Sequence, residues 1–481
     1  MLQLRRVRIS LVYLLSLLFA GALLYYVIKD KYELALLPVG LAVIFLAIYR
    51  MDWLFWGILF CIPFSVPLKE FAPGLDFNLL LPTEPLLAGI LVIFIIRLAL
   101  DGGYDRRVLN HPITQVILFQ MAWMLVTTFT SSMPLISVKF FISRLWYLVV
   151  FYFLAIQFFK NPRNIRRFIW VYMIPLSLIV MVISFRHVSL GLFDQKASNA
   201  AVDPFFNDHT LYGAIMALFI PVAAGYLIRS PLRLWGKIGS FVVLVILLAG
   251  LLFSYSRAAW ISLVVAILVF VTVILRIRAR IIFLGLGILV ITLMMAGKNI
   301  LMKMEKNNQD SSNNLAEHVQ SISNISTDAS NLERLNRWSC ALRMWVKKPL
   351  FGWGPGTYMF QYAPFQKESQ KTIISTNYGD AGNAHSEYLG PLSEMGLPGG
   401  LAMLAIVVVS FITAMRVYKN ETIPEMKMLS LVLLLGLVTY FLHGVMNDFL
   451  DTDKASAGVW GFMAVLVALD LKRSETKKTT P

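Results

Sequence analysis

The 481-residue chain is 58% hydrophobic and 15% charged, with a mean hydropathy of +0.70. A single soluble core cannot hide that much apolar surface, so a soluble enzyme is excluded and a polytopic membrane protein is implied. The formal net charge of +16 is gathered at alternate connectors, which marks membrane orientation and not a nucleic-acid partner.

Apolar runs of the ~17–25 residues needed to cross a bilayer recur from end to end. They lack the alternation of barrel strands, so the expected fold is an all-α polytopic bundle of about 14 spans. The runs lie near 8–27, 33–49, 53–68, 84–100, 113–130, 140–159, 168–185, 210–228, 237–254, 258–275 and 281–297, then near 399–415, 428–446 and 455–471. The first is too long for a signal-peptide core and reads as an uncleaved helix. Basic connectors such as RRVR, KNPRNIRR, RIRAR and LKRSETKK recur at every second turn. Both termini are therefore expected in the cytoplasm. The chain divides into a first set of spans (1–297), a long extracytoplasmic connector (298–390), and a second set with a cytoplasmic tail (391–481). Cys61 falls inside a run and Cys340 outside one, which argues against a disulfide between them.

Polar residues out of keeping with an oily chain follow in order. Arg144, in ISRLWYLVVFYF, falls on the face where positive charge is disfavoured. In FFNDHTLYG, His209 reads as a polar helix start with Asn207 or Asp208 as the cap. Arg257, in the tight turn FSYSRAAW, must sit at or just below the outer surface. It is either an anchor snorkelling to water or a residue with a partner.

Within the long connector, Leu315, Val319, Ile322 and Ile325 recur at helical spacing. That suggests a helix on the membrane surface, with a solvated linker as the alternative. Leu335, Trp338, Leu342 and Trp345 make an apolar stripe flanked by Arg334 and Arg337, and Pro349 stops that helix. GWGPG is a turn whose amides could also meet a phosphate, although Pro355 has no N–H.

NAHSEYLGPLSEMGLPGG (383–400) begins with possible caps, Asn383 and Ser386, is interrupted by Pro391, and is ended by GLPGG before the next span. His385 would stand at the start of a short helix, whose terminus lowers an imidazole's pKa and attracts anions. Glu387 and Glu394 are seven residues apart and share a helix face, which suits orienting or packing. His443 reads as a satisfied intramembrane histidine. Asp448, Asp451 and Asp453 are a weak metal candidate beside their reading as an ordinary acidic loop.

The order SxSRxxW between two spans, ERxxxW followed by PLFGWGPG in the long connector, then NAHSEYL and ExGxxG leading into a span, resembles the O-antigen ligase and polymerase superfamily. The resemblance covers about residues 200 to 415. It implies a glycosyltransferase of the bacterial inner (cytoplasmic) membrane that takes a glycan from undecaprenyl diphosphate at the periplasmic face. By position, Arg257 and Arg334 would bind the diphosphate, with Arg337 and Arg144 as further substrate-binding candidates. His385 would act on the acceptor hydroxyl, supported by Asn383, Glu387 and Glu394. The implied partners are the lipid-linked donor, a glycan or lipid A core acceptor, and the bilayer.

Elementary chemistry agrees. A sugar on a diphosphate already has a good leaving group, so the enzyme must hold two phosphates and deprotonate a hydroxyl. Arginines do the first task bidentately without a metal or other cofactor, and a neutral histidine does the second. Attack opposite the leaving group inverts the anomeric centre. A ligase and a repeat-unit polymerase both fit, and the motifs around His385 look more like the ligase branch. A transporter or flippase would call for inverted repeats and polar residues at mid-membrane, whereas the polar residues here gather at one face.

Overall fold

The computed structural model describes residues 2–29, 34, 36–72, 79–100, 102–191, 193–229, 234–278, 329–367, 370–371, 375 and 382–479. The span expected at 281–297 and the surface helix expected over 315–325 lie outside the described residues.

Two compact units divide the chain, Met1–Gly57 and Ile58–Pro481. The first holds α1 (Leu2–Ile28), α2 (Leu36–Tyr49) and most of α3 (Met51–Cys61). The apolar run 53–68 is not one span. Helix α3 stops at Cys61, Pro63 lies in a 3-10 turn, and the chain continues into β1 (Val66–Pro67), paired antiparallel with β2 (Leu80–Leu81). Proline lacks the N–H that would have continued the helix.

The second unit runs through α4 (Thr83–Leu100), α5 (Arg106–Leu109), α6 (Pro112–Phe129), α7 (Pro134–Leu148), a π-helical segment Val149–Leu154, α8 (Ala155–Phe159), α9 (Pro162–Gly191), α10 (Gln195–Val202), α11 (His209–Arg229), α12 (Leu234–Leu252) and α13 (Arg257–Ile274). Beyond residue 328 come α14 (Ala329–Lys347), α15 (Tyr358–Gln361), α16 (Leu389–Asn420), α17 (Pro424–His443) and α18 (Asp453–Thr479). Among the described residues, ten helical stretches are long and apolar enough to cross a membrane, and three shorter apolar helices precede them. The fold is an all-α polytopic bundle.

Burial separates core helices from rim helices. The apolar windows of α18 and α11 are 94% and 83% buried, against 17% for α13. Helices α11 and α18 are therefore the central posts, and α13 turns side chains such as Val264 and Ile267 outward, as a lipid-facing helix does. Charges at the start of α18 are buried but paired. Thr83 donates to Asp453 (2.7 Å), Lys454 lies 3.6 Å from Asp453, and its ammonium donates to the Ser65 carbonyl (3.1 Å). Pairing of this kind is what makes charge tolerable at such depth.

Helix α16 is broken. Pro391 does not interrupt it, because the proline sits in the first turn, where its missing N–H would be unpaired anyway. The break falls at Gly396, whose φ is +67° and ψ −168°. Backbone groups freed inside a bundle must find partners. The Ser393 carbonyl accepts from Trp353 N (3.1 Å), the Glu394 carbonyl from Gly354 N (2.8 Å), and the Met395 carbonyl from the Trp123 indole (2.8 Å), while Leu397 N donates to the Pro349 carbonyl (2.8 Å). PLFGWGPG is thus a clamp on the broken helix, and two of its amides are spent on that helix instead of on a phosphate. A β-carbon at Gly352 would lie 2.3 Å from the Glu394 carbonyl carbon, and one at Gly396 2.1 Å from the Leu350 carbonyl oxygen, so only glycine fits at either place.

Candidate active site

Three segments meet at one end of the second unit: the turn before α13, the helix α14, and the loop 382–388 that leads into α16. Ser256 caps α13 by accepting from Ala259 N, and its hydroxyl lies 3.3 Å from His443 Nε2 at the end of α17. Gly213 of α11 packs on the same turn, where a β-carbon would be 2.7 Å from Ser254 Oγ. From the other side, Glu387 N donates to the Gly444 carbonyl (2.8 Å).

Helix α14 buries a different stripe from the expected one. Glu333, Asn336, Arg337, Cys340, Ala341 and Met344 face inward, whereas Leu342 is 44% exposed and Trp345 half-buried. An ion pair and small residues fill the inner face, because Arg337 Nε pairs with Glu333 at 2.9 Å, one turn away. Burying this pair is possible since both partners find hydrogen bonds.

His385 is held by its backbone. Its φ of +48° is left-handed, an uncommon conformation for a residue with a β-carbon that persists only where the surroundings impose it. Asn383 Oδ1 accepts from His385 N (3.1 Å), and the Trp338 indole donates to the His385 carbonyl (3.3 Å). Ser386 Oγ then accepts from the N–H groups of Tyr388 and Leu389 (3.3 Å each), which starts α16. Burial pushes the His385 pKa down to about 3, with the positive charges of Arg334 and Arg337 adding to the effect and Asp208 opposing it. The ring is therefore neutral. The cause is burial beside cations; His385 stands four residues ahead of the helix start.

The arginines separate into distinct settings. Arg334 acts electrostatically on both His385 and His443, as does Asp208. Arg257, half-buried, is the first residue of α13 and directly follows Ser256. Arg337 is 6% exposed and engaged by Glu333, by the Asn383 carbonyl (3.2 Å) and by the face of Tyr362 (5.5 Å). Arg144 belongs to another group of side chains. It donates to the Leu450 carbonyl (2.7 Å), lies over Phe140 (5.4 Å), and acts on Glu394, Asp448 and Asp451.

Glu387 and Glu394 both serve neighbouring backbone. Glu387 Oε1 accepts from Tyr440 OH (2.6 Å), Phe449 N (2.8 Å) and Leu450 N (2.9 Å). Glu394 Oε1 accepts from Tyr358 N (2.9 Å). Both carboxylates hold loops in place.

Sequence reasoning did not group Asp208, Ser256 and His443 with His385. Asp208 is the cap of α11, its Oδ1 accepting from Thr210 N and Leu211 N (2.7 Å each). His443 is 1% exposed, and its Nδ1 has no hydrogen-bond partner, so it is not the fully satisfied histidine that was expected. Among the described residues, no group of three or more His, Cys, Asp or Glu side chains could hold a metal ion. Chemically, the site offers fixed cations for an anionic group next to a neutral nitrogen that can take a proton.

Residues 242–404, from within α12 to just past the break in α16, match the family model for O-antigen ligases. The matched stretch includes Arg257, Arg334, Arg337, Asn383, His385, Glu387 and Glu394, and leaves out Arg144, Asp208 and His443. No curated protein matches the chain.

Proposed function

On the premise that the chain is a member of the O-antigen ligase superfamily of membrane glycosyltransferases, we propose that it moves a glycan from undecaprenyl diphosphate to an acceptor hydroxyl at the periplasmic face of the inner membrane. The observation that carries this reading is a neutral imidazole, His385, within the field of Arg334 at one end of a membrane bundle. In the proposed reaction the acceptor oxygen attacks the anomeric carbon from the face opposite the diphosphate. Its proton passes to His385, the bond from carbon to the diphosphate oxygen breaks, and the carrier leaves as undecaprenyl diphosphate with inversion. Arg257 and Arg334 hold the phosphates. Arg337 and Asn383 position the loop that carries His385. The acceptor is lipid A core or another terminal glycan, which makes the enzyme a ligase, the branch that the motif around His385 resembles.

Arg334→Ala is expected to lower transfer by ~10²–10³-fold, the usual cost of removing one fixed donor to developing charge. Cells carrying only this variant should lose surface polysaccharide and accumulate long glycans on the carrier. Single repeats on the carrier would indicate a polymerase instead, and unchanged surface polysaccharide would overturn the reading.

The pH profile gives a second test. Two arginines and burial hold the free-enzyme imidazole at about 3. A bound diphosphate offsets the arginines, so the pKa rises when the donor is in place and the base strengthens. The acid limb of kcat, which reports the loaded enzyme, is therefore expected at higher pH than that of kcat/KM for the donor. Coincident limbs would contradict the assignment of His385 as the base.

A further inference from the structure

Beside the loop that carries His385 lies a recess of ≈ 150 Å³, between α6, α7, α16 and α18. Asn383 and Ala384, the two residues just before His385, line it, whereas His385 does not. Its charged and amide lining comes from Gln120, Arg144, Glu387, Glu394, Asp448 and Asp451, with Asn383. Trp460 also lines it and is 1% exposed; its indole nitrogen has no hydrogen-bond partner, and neither has Asp448 Oδ1. Buried donors and acceptors are rarely left unpaired in a finished protein. The polar groups that ring the recess, and not those two enclosed atoms, are what a polar ligand arriving from outside would meet.

Resting on the glycosyl-transfer reading, we propose that this recess seats the terminal sugar ring of the acceptor, with its attacking hydroxyl directed at His385. Each sugar hydroxyl both donates and accepts, and the lining offers both capacities. Arg144 and the Gln120 amide donate, while Glu394 and Asp451 accept. Burial, reinforced by the neighbouring Asp451, Glu387 and Glu394 charges, pushes Asp448 well above the usual carboxylate range, so it is a neutral acid able to do either. Asp451 is open to solvent yet ringed by protein, and burial raises it to about 6, against the pull of Arg144. Neutral or half-neutral acids suit a hydroxyl-rich ligand better than a cation. Phe140 and Tyr358 add apolar lining. At ~30 Å³ per water molecule, the volume is that of about five waters, room for one ring and not for an oligosaccharide. A donor-side role for the recess is disfavoured because Arg144 is the single cation in its described lining, too little for a diphosphate.

The test uses the full chain in nanodiscs, with lipid-linked glycan and lipid A core fractions extracted from cells lacking the enzyme. Asp451→Asn is near-isosteric, Gln120→Leu removes the amide, and Arg144→Gln removes the guanidinium. Each is expected to raise the acceptor KM about tenfold or more and to leave the donor KM within twofold. Unchanged acceptor KM in all three, or a rise in donor KM instead, would overturn the acceptor seat while leaving glycosyl transfer intact. Absence of any transfer by the unsubstituted chain would overturn the functional reading and this proposal together.

Discussion

His385→Ala is expected to reduce glycan transfer by ~10²–10⁴-fold, the range for loss of a positioned general base, while the lipid-linked donor still binds. Donor affinity should survive because the groups proposed to hold the diphosphate, Arg257 and Arg334, lie on α13 and α14, outside the loop that is changed. Alanine has a second effect, since histidine is among the residues enriched at a left-handed φ such as the +48° of this position and alanine is not. His385→Asn separates the two effects. Asparagine tolerates the left-handed region but has no basic nitrogen, so it should keep the fold and lose the chemistry. The measurement is transfer rate and retained radiolabelled donor for the purified full chain in nanodiscs. Asparagine activity within threefold of the unsubstituted chain would remove His385 from the reaction.

Much of the architecture was legible because it follows from length and hydropathy alone. The spans from α4 to α13 and from α16 to α18 match the apolar runs to within a few residues at most ends. The misjudged run, 53–68, failed at Pro63, where one missing N–H outweighs continued apolarity. Helix α14 was placed correctly but turned the wrong way. An apolar-stripe argument cannot foresee that Glu333 and Arg337 satisfy each other and so occupy the inner face. The end of the short helix at GLPGG was anticipated and falls at its first residue, Gly396, whereas the interruption expected at Pro391 does not occur, since proline is harmless in a first turn. For the site, local motifs marked His385, Arg257 and Arg334. The neighbours that arrive from afar were invisible: Asp208 and His443 belong to helices remote in sequence, and only the packing of α11 against α17 brings them together. Arg144 was noticed for its depth, yet its grouping with Asp448 and Asp451 depends on the close approach of α7 to the loop before α18.

Glu387→Ala is expected to impair both stability and transfer, for a reason that can be counted in hydrogen bonds. The side chain is 4% exposed, and one oxygen accepts from Phe449 N, Leu450 N and Tyr440 OH. Truncation leaves two buried backbone N–H groups and a hydroxyl without acceptors, at ~1–3 kcal/mol each. The loop between α17 and α18 then loses its anchor to the segment that holds His385, two residues away. A shift of about 1 Å in a catalytic group costs ~10²-fold in rate, so transfer should fall by that order even with His385 intact. Glu387→Gln discriminates anchoring from chemistry. Its amide oxygen still accepts from both N–H groups, at the ~0.5–1.5 kcal/mol of a neutral bond instead of the ~1.5–3 kcal/mol of a charged one. Glutamine should therefore recover most of the thermal midpoint in detergent and most of the rate. If alanine keeps both midpoint and rate, the loop is held by other contacts; if glutamine is as inactive as alanine but fully stable, the carboxylate takes part in the reaction and is more than an anchor.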